Sequence, residues 1–334
     1  MPRLMRFLRW SSAIAATLAV LTAAVVTWRW QYRGALEDLP WPIAETLPGA
    51  EGRVSVTWLG VSSLLFDDGE TQILVDGFFS RATPLEIATF RPLKSDIATI
   101  NYVMDEYRMD RLAAIVPVHA HYNHAMDAGR IANRSTALLI GSESVSNIAR
   151  GANVPVVQSQ TLANGESRVF GEFTVTLIES RHVPMAWSSG AVPGGSIRRP
   201  LVQPASFWAY KVGVVYSVLI AHPSGTSLIQ AGSGFEPGAL SERDADVVFL
   251  SVAGLAANGE QYTTEYWQET VTATGADEVF AIHFDDFTRP FGQVELLPDI
   301  ADQVLVSANW IEALAEGDEI RVRRPPFGRP VVLY

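Results

Sequence analysis

Three of the chain's six histidines fall within six residues, in the stretch Val116-Pro117-Val118-His119-Ala120-His121-Tyr122-Asn123-His124-Ala125-Met126-Asp127. Imidazole suits zinc, copper, iron or nickel, and three converging rings supply the protein part of an open zinc site. Such a site lowers the pKa of water to about 7 and makes hydroxide available at neutral pH. His119 and His121 are two residues apart, so extended backbone turns both rings to one side. His124 lies around the following turn and approaches from a second direction. The competing reading, three unrelated loop histidines, has the clustering against it.

Two elements must position this cluster. Residues 113–118 form an apolar, β-branched run that predicts a buried strand, and residues 125–132 read as the start of a helix. The histidines therefore sit where a strand ends and a helix begins, a common place for ligands in α/β folds. Upstream, residues 53–59, 63–66 and 72–75 predict three strands, with Asp67-Asp68-Gly69 as a hairpin turn and Asp76 closing the third. Residues 80–95 show no clear period and read as loop, and 96–107 as a helix. Downstream, a strand at 137–140 leads to a helix capped by Ser142. Further strands are expected at 154–158, 167–179 with a break at Gly171, 207–211, 214–221, 227–230, 246–251, 278–282 and 319–324. Helices are expected at 262–274 and 302–316. His222, in the turn His222-Pro223-Ser224-Gly225, reads as a turn residue and not as a ligand.

The amino terminus stands apart. Arg3, Arg6 and Arg9 precede an uncharged run of 19 residues from Trp10 to Trp28. At 1.5 Å per residue this spans roughly 28 Å, about the hydrocarbon thickness of a bilayer. Trp10, Trp28 and Trp30 mark its ends, where indoles favour the interface. The run exceeds an ordinary signal-peptide core, and no small-x-small cleavage site stands near its end. The expected organisation is a signal anchor at 1–33, a Pro/Gly-rich linker at 34–52 and a catalytic domain at 53–334. The positive-inside tendency places the domain outside the inner membrane, facing periplasm or exterior, although Arg29 and Arg33 on the far side weaken it. A cleaved signal peptide is the alternative. A net charge of −11 argues against nucleic acid as partner. The chain has no cysteine, which excludes a disulfide, a thiolate site and a lipoprotein anchor.

The histidine stretch resembles the H-x-H-x-D-H signature of the metallo-β-lactamase-fold hydrolases. Val56-Thr57-Trp58-Leu59-Gly60-Val61-Ser62-Ser63 looks like the first strand and turn of the branch holding the ascorbate-6-phosphate lactonases and N-acyl-phosphatidylethanolamine phospholipase D. Ile73-Leu74-Val75-Asp76-Gly77 is similar to the family's L-[IV]-D-P strand, and Ile282-His283-Phe284 to its closing H-[WF] element. The resemblance covers the chain from about Val54 onward. It implies an α/β four-layer αββα sandwich.

The resemblance also implies a ligand set. One metal would take His119, His121 and His182, the last at the end of the strand closing on Glu179-Ser180-Arg181. The second position would take Asn123, His124 and His283, and the family's bridging aspartate aligns with Ser233. Both family carboxylates are thus replaced by neutral residues, which disfavours two dications close together. One zinc held tightly and a second held weakly, or not at all, is the expectation. Asn123 can orient water but cannot accept a proton as a carboxylate does. Asp127 is the expected substitute, with Asp285 and Asp286 as further carboxylates near the site. Asp76 is either a support of the metal site, as in the family, or a plain turn residue. Residues 184–204, which include Met185, Trp187, Ile197, Arg198 and Arg199, follow His182 and read as a lid or a surface insert.

The implied function is metal-dependent hydrolysis of an ester, lactone or phosphodiester in a small-molecule or lipid-like substrate. The alternative is a catalytically weak metal- or ligand-binding protein that keeps the fold. A true β-lactamase fits the early strand-and-turn elements less well.

Overall fold

The computed structural model describes residues 2–46, 53–184 and 193–334. Fourteen strands and nine helices are defined among them. The chain begins with α1 (Pro2–Trp30), then β1 (Ser55–Trp58), β2 (Leu64–Asp67) and β3 (Gln72–Val75). Next come α2 (Pro84–Ala88), α3 (Ile97–Glu106), β4 (Leu112–Val116), α4 (Tyr122–Ala125) and α5 (Ala128–Arg134). β5 (Leu138–Gly141), α6 (Glu143–Gly151), β6 (Ser159–Thr161), β7 (Ser167–Phe170) and β8 (Phe173–Ser180) follow. The chain continues through β9 (Val215–His222), β10 (Gly225–Gln230), β11 (Val247–Ser251), α7 (Leu255–Asn258) and α8 (Glu260–Thr270). It closes with β12 (Glu278–Ile282), α9 (Val304–Asp318), β13 (Arg321–Arg323) and β14 (Pro330–Val332).

The strands form two seven-stranded mixed sheets, ordered β14-β1-β2-β3-β4-β5-β6 and β13-β12-β11-β10-β9-β8-β7. Side-chain alternation decides what each face touches. In β3, Ile73 and Val75 point into a core shared with the second sheet, while Leu74 points to the helical layer outside. Phe66 of the first sheet meets Phe249 of the second edge-on at 5.6 Å, so the sheets pack face to face. α3, α5 and α6 cover the first sheet through Ile100, Val103, Ile131, Val145 and Ile148. α8 and α9 bring Tyr266, Trp267, Ala308 and Ile311 to the core of the second. β11 and β12 are buried at every position, as parallel strands covered on both faces must be. The result is the expected four-layer αββα sandwich.

Several local expectations are revised. Residues 80–95 include the short helix α2, opened by Thr83, whose side chain accepts from the Glu86 amide while Glu86 answers to the Thr83 backbone. The strand expected at 154–158 is displaced to β6, because a 3-10 turn over Val156–Gln158 lets the Gln158 amide donate to the carbonyls of Ala132, Ser135 and Ala137. The strand expected at 207–211 is a 3-10 turn capped by Ser206, and its aromatics stack on Phe90 instead of joining a sheet. Residues 34–46, part of the expected linker, lie against the body, where Leu39, Trp41 and Ala44 are buried. β14, which pairs with β1, was not anticipated.

Candidate metal centre

His119 and His121 follow β4, and His121 is the residue from which α4 starts. His182 stands just past β8, where an isolated bridge joins it to Ser233. His283 follows β12 with φ of 59°, a left-handed turn held by the hydrogen bond that its backbone N–H donates to the Val61 carbonyl at 3.0 Å. Strand ends on the two sheets thus deliver the site.

Donor nitrogens of His119, His121 and His182 all lie within 4.8 Å of one another. His119 Nε2 and His121 Nδ1 face each other at 3.0 Å. Nitrogens bound tetrahedrally to one zinc at about 2.0–2.1 Å would stand roughly 3.4 Å apart, so small side-chain adjustments suffice to close the set. His182 Nδ1 lies 3.0 Å from the Val183 carbonyl, which fixes its proton there and leaves Nε2 free. His119 Nδ1 is buried with no hydrogen-bond partner among the described residues. These three residues fit a metal ion.

His124 and His283 lie beside this triad. The His124 ring is 4.0 Å from that of His119 and 5.4 Å from that of His283. His124 Nδ1 donates to Asp76 Oδ2 at 2.8 Å, and the Ser62 hydroxyl donates to the same oxygen at 2.5 Å. Asp76 Oδ1 accepts from the Val118 amide at 2.8 Å. Asp76 therefore ties the turn after β3 both to His124 and to the strand end before His119. Asn123 Nδ2 lies 3.3 Å from His283 Nε2. Ser233 is buried, and its hydroxyl pairs with that of Ser251 at 2.5 Å.

Burial is the first cause that holds these imidazoles neutral. It pushes His119 and His124 well below the ordinary range, with the neighbouring histidines adding to the effect. Burial, then His182, lowers His121 to about 3, and burial lowers His283 to about 4. His182 is lowered for the same reason. Neutral imidazole is the ligating form, so the cluster is ready for a cation at neutral pH.

The carboxylates expected to help turn elsewhere. Asp127 Oδ2 accepts from the amides of Phe79 and Ser80 at 2.9 and 2.6 Å, so it braces the loop after β3 and does not line the cavity. Asp285 Oδ1 accepts from the Val61 amide at 2.8 Å. Asp286 pairs with Arg33 at 2.9 Å and with the Thr288 hydroxyl. His222 ends β9, with its ring tilted against Phe173 at 5.1 Å and bonded to Ser224 of the following turn, and it is not part of the cluster. Two further residues carry no motif signal of their own: Ser62, which supports Asp76, and half-buried Arg81, whose guanidinium faces Asp285 and lies over the Phe78 ring at 4.9 Å. Residues 185–192, with Trp187, lie outside the described residues. The rest of the expected lid is fastened to α6, where Asn147 donates to the Ile197 carbonyl at 2.8 Å and the Ile197 amide donates to Ser144 at 3.0 Å.

The cluster opens on a cavity of about 570 Å³. His121, Asn123, His124, His182, Ser233 and His283 contribute its polar wall. Ile87, Phe90, Phe207, Trp208, Phe287 and Leu297 make much of the remainder apolar. Val26 and Trp30, from the end of α1, line it as well.

Igni18, a novel metallo hydrolase from the hyperthermophilic archaeon Ignicoccus hospitalis KIN4/I, superposes with a TM-score of 0.50 and 15% identity, over 84% of this chain and 98% of that one. The fold is that of the metallo-β-lactamases. A possible metal-dependent hydrolase from Veillonella parvula DSM 2008 matches at 0.50 and 13% identity, over 84% of this chain and 100% of its own. CmlA, a diiron β-hydroxylase from Streptomyces venezuelae, matches at 0.51 and 14% identity over 86% of this chain, which spans 55% of CmlA. No family profile and no curated protein matches the sequence. At these identities the likeness speaks to the metallo-β-lactamase fold, and the lactonase and phospholipase branch rests on the sequence motifs alone.

Proposed function

We propose that this chain is a membrane-tethered, metal-dependent hydrolase that acts on an ester, lactone or phosphodiester bond. The observation that carries this reading is the convergence of His119, His121 and His182, the last two on the wall of a cavity lined largely by apolar side chains. They would hold one ion, with zinc first among the metals that three imidazoles accept. Such an ion supplies a Lewis acid and a lowered water pKa. The chain's own residues do the rest. Asp76 and Ser62 fix the proton of His124 on Nδ1, so its other nitrogen faces the site. Asn123 and His283 offer neutral hydrogen-bonding groups beside the reacting centre. The apolar wall suits the carbon skeleton of a small or lipid-like substrate and excludes water from it.

The helix Trp10–Trp30 is long and apolar enough to cross a membrane, with a mean hydropathy of 1.7 and none of it buried. Contacts at and just beyond its carboxyl end support an uncleaved anchor. Arg33 pairs with Asp286 and Glu295 at 2.9 and 2.8 Å, so its charge, which weakens the positive-inside pattern, is neutralised within the fold. Cleavage after the helix would also remove Val26 and Trp30 from the cavity wall. The domain would then face periplasm or exterior.

A second reading, a binding protein that keeps the fold, is favoured by the neutral Asn123 and Ser233 where the family has carboxylates. One experiment separates the two. Full-length protein in detergent is screened on generic p-nitrophenyl esters, lactones and a bis-aryl phosphodiester, with and without chelator. Turnover that chelator removes and zinc restores, and that His119→Ala abolishes, supports the hydrolase. Metal binding with no turnover on any class supports the binding protein.

A further inference from the structure

The end of α1 and an aromatic patch around exposed Phe90, with half-buried Phe207 and Trp208, share one cavity. Val26 and Trp30 line it together with Ile87, Phe90, Trp208 and Ile300. Phe90 is 57% exposed, and Leu85 on the same short helix-turn is 61% exposed. Phe90 stacks on Phe207 at 5.9 Å and on Trp208 at 6.3 Å, so the patch is a built surface and not one stray side chain. Phe90 also holds a φ of 55°, a left-handed conformation that Gly or Asn would adopt more easily. Arg91 and Lys94 follow it and are exposed.

Depth decides what covers this surface. Trp28 and Tyr32 pair edge-on at 4.8 Å near the end of α1, the arrangement of an interfacial aromatic belt. Val26 lies four residues before Trp30, roughly 6 Å deeper along the helix axis. Phe90 and Trp208 line the same cavity as Val26 and Trp30, so the patch stands beside the stretch of α1 that passes from the span into the interface. The ion pairs of Arg33 and the bond from the Asp299 amide to the Tyr32 carbonyl, 2.9 Å, fasten the helix end to the domain and fix that relation.

We infer that Leu85, Phe90 and Trp208 form a second membrane contact, which seats the cavity rim in the headgroup and upper acyl region of the bilayer that α1 crosses. The partner is the lipid surface itself. Apolar rings enter the interface, and Arg91 and Lys94 meet anionic headgroups. The inference rests on the anchor reading of α1, and the test separates the two.

The chain has no cysteine, so single-cysteine variants label cleanly. Full-length Phe90→Cys and Leu85→Cys, each carrying an NBD fluorophore, are reconstituted into vesicles of phosphatidylcholine and phosphatidylglycerol in equal amounts. Trp28→Cys marks the span, and Val169→Cys, 69% exposed on edge strand β7, marks the solvent-facing body. Shallow nitroxide lipid is then added. The expected result is blue-shifted emission and loss of most fluorescence at positions 85 and 90, as at 28, with little loss at 169. Quenching at 28 but not at 85 or 90 overturns the second contact and leaves the anchor standing. Blue-shifted but unquenched emission at 85 and 90 means that protein, a second copy or another chain, covers the rim, and it overturns the bilayer as partner. No quenching at 28 overturns the anchor and the inference with it.

Discussion

Asn123 Nδ2 stands 3.3 Å from His283 Nε2, joining two residues 160 positions apart in the chain. Whichever way the amide is turned, neither partner carries negative charge, and the hydrogen bond occupies the position where the family resemblance puts a carboxylate and a metal. The same holds at Ser233, whose hydroxyl is committed to Ser251. Without an anionic ligand at either place, one strong metal site is expected and not two.

Asn123→Asp is close to isosteric and places one negative charge beside His283. The expected outcome is a gain of roughly tenfold or more in affinity for a second dication, since an anionic oxygen replaces a weak amide ligand. Ser233→Asp should add to it non-additively, because both changes act on one ion. Metal per chain across a zinc titration of the natural protein, each variant and the double measures this. An unchanged second occupancy in all variants would refute the electrostatic argument.

Asp76→Asn keeps the size of the side chain and can still accept the Val118 amide. It cannot accept from both the Ser62 hydroxyl and His124 Nδ1 as the carboxylate does. Activity should fall about 10- to 100-fold, the usual cost of losing a carboxylate behind a site histidine. Metal bound by His119, His121 and His182 should stay in place. Loss of metal in parallel with activity would show that Asp76 acts on the triad and not on His124.

Acid titration gives a third check. Burial lowers the proton affinity of the site histidines, His121 to about 3 and His283 to about 4. A depressed pKa means that the neutral ligating form persists as pH falls, so protons compete poorly with the ion. Metal content should hold from pH 7 down to about 5, whereas free imidazoles of pKa about 6.5 would already be mostly protonated there. Equilibrium dialysis at stepped pH, followed by metal analysis, reads it. Metal loss centred near pH 6.5 would contradict the buried, neutral cluster.

The amino-terminal helix makes a fourth prediction. Full-length protein should remain in the membrane fraction after a carbonate wash, with Met1 retained. A chain starting near Gly34 should be soluble and folded, since Leu39, Trp41 and Ala44 still pack on the body. Recovery of full-length, uncleaved protein in the soluble fraction would remove the anchor.

Much of this fold was legible because the strands are short apolar runs with turn residues between them. Ile73-Leu74-Val75 and the run before His119 declared buried strands, but continuously apolar runs do not say which side chain meets which layer. Asp67-Asp68-Gly69 declared its hairpin. What stayed illegible depends on contacts far away in sequence. Phe207 and Trp208 look like strand residues until Phe90 is there to stack on. Asp127, three residues after His124, looks close to the metal by spacing alone. Its carboxylate instead meets amides 47 and 48 residues earlier, and no local pattern encodes that. The burial of Trp41 and the addition of β14 to the sheet edge are likewise closures by distant partners. The histidines were readable by type and spacing, but the tautomers imposed by Asp76 and the Val183 carbonyl were not.

The central claim is a single strong metal held by His119, His121 and His182. Its most direct test is metal per chain, by mass spectrometry, on natural full-length protein purified without added metal, alongside His182→Ala. About one tightly held ion per chain is predicted, lost in His182→Ala, as a three-histidine site requires. Two tightly held ions in the natural protein, or one that survives His182→Ala, would contradict it.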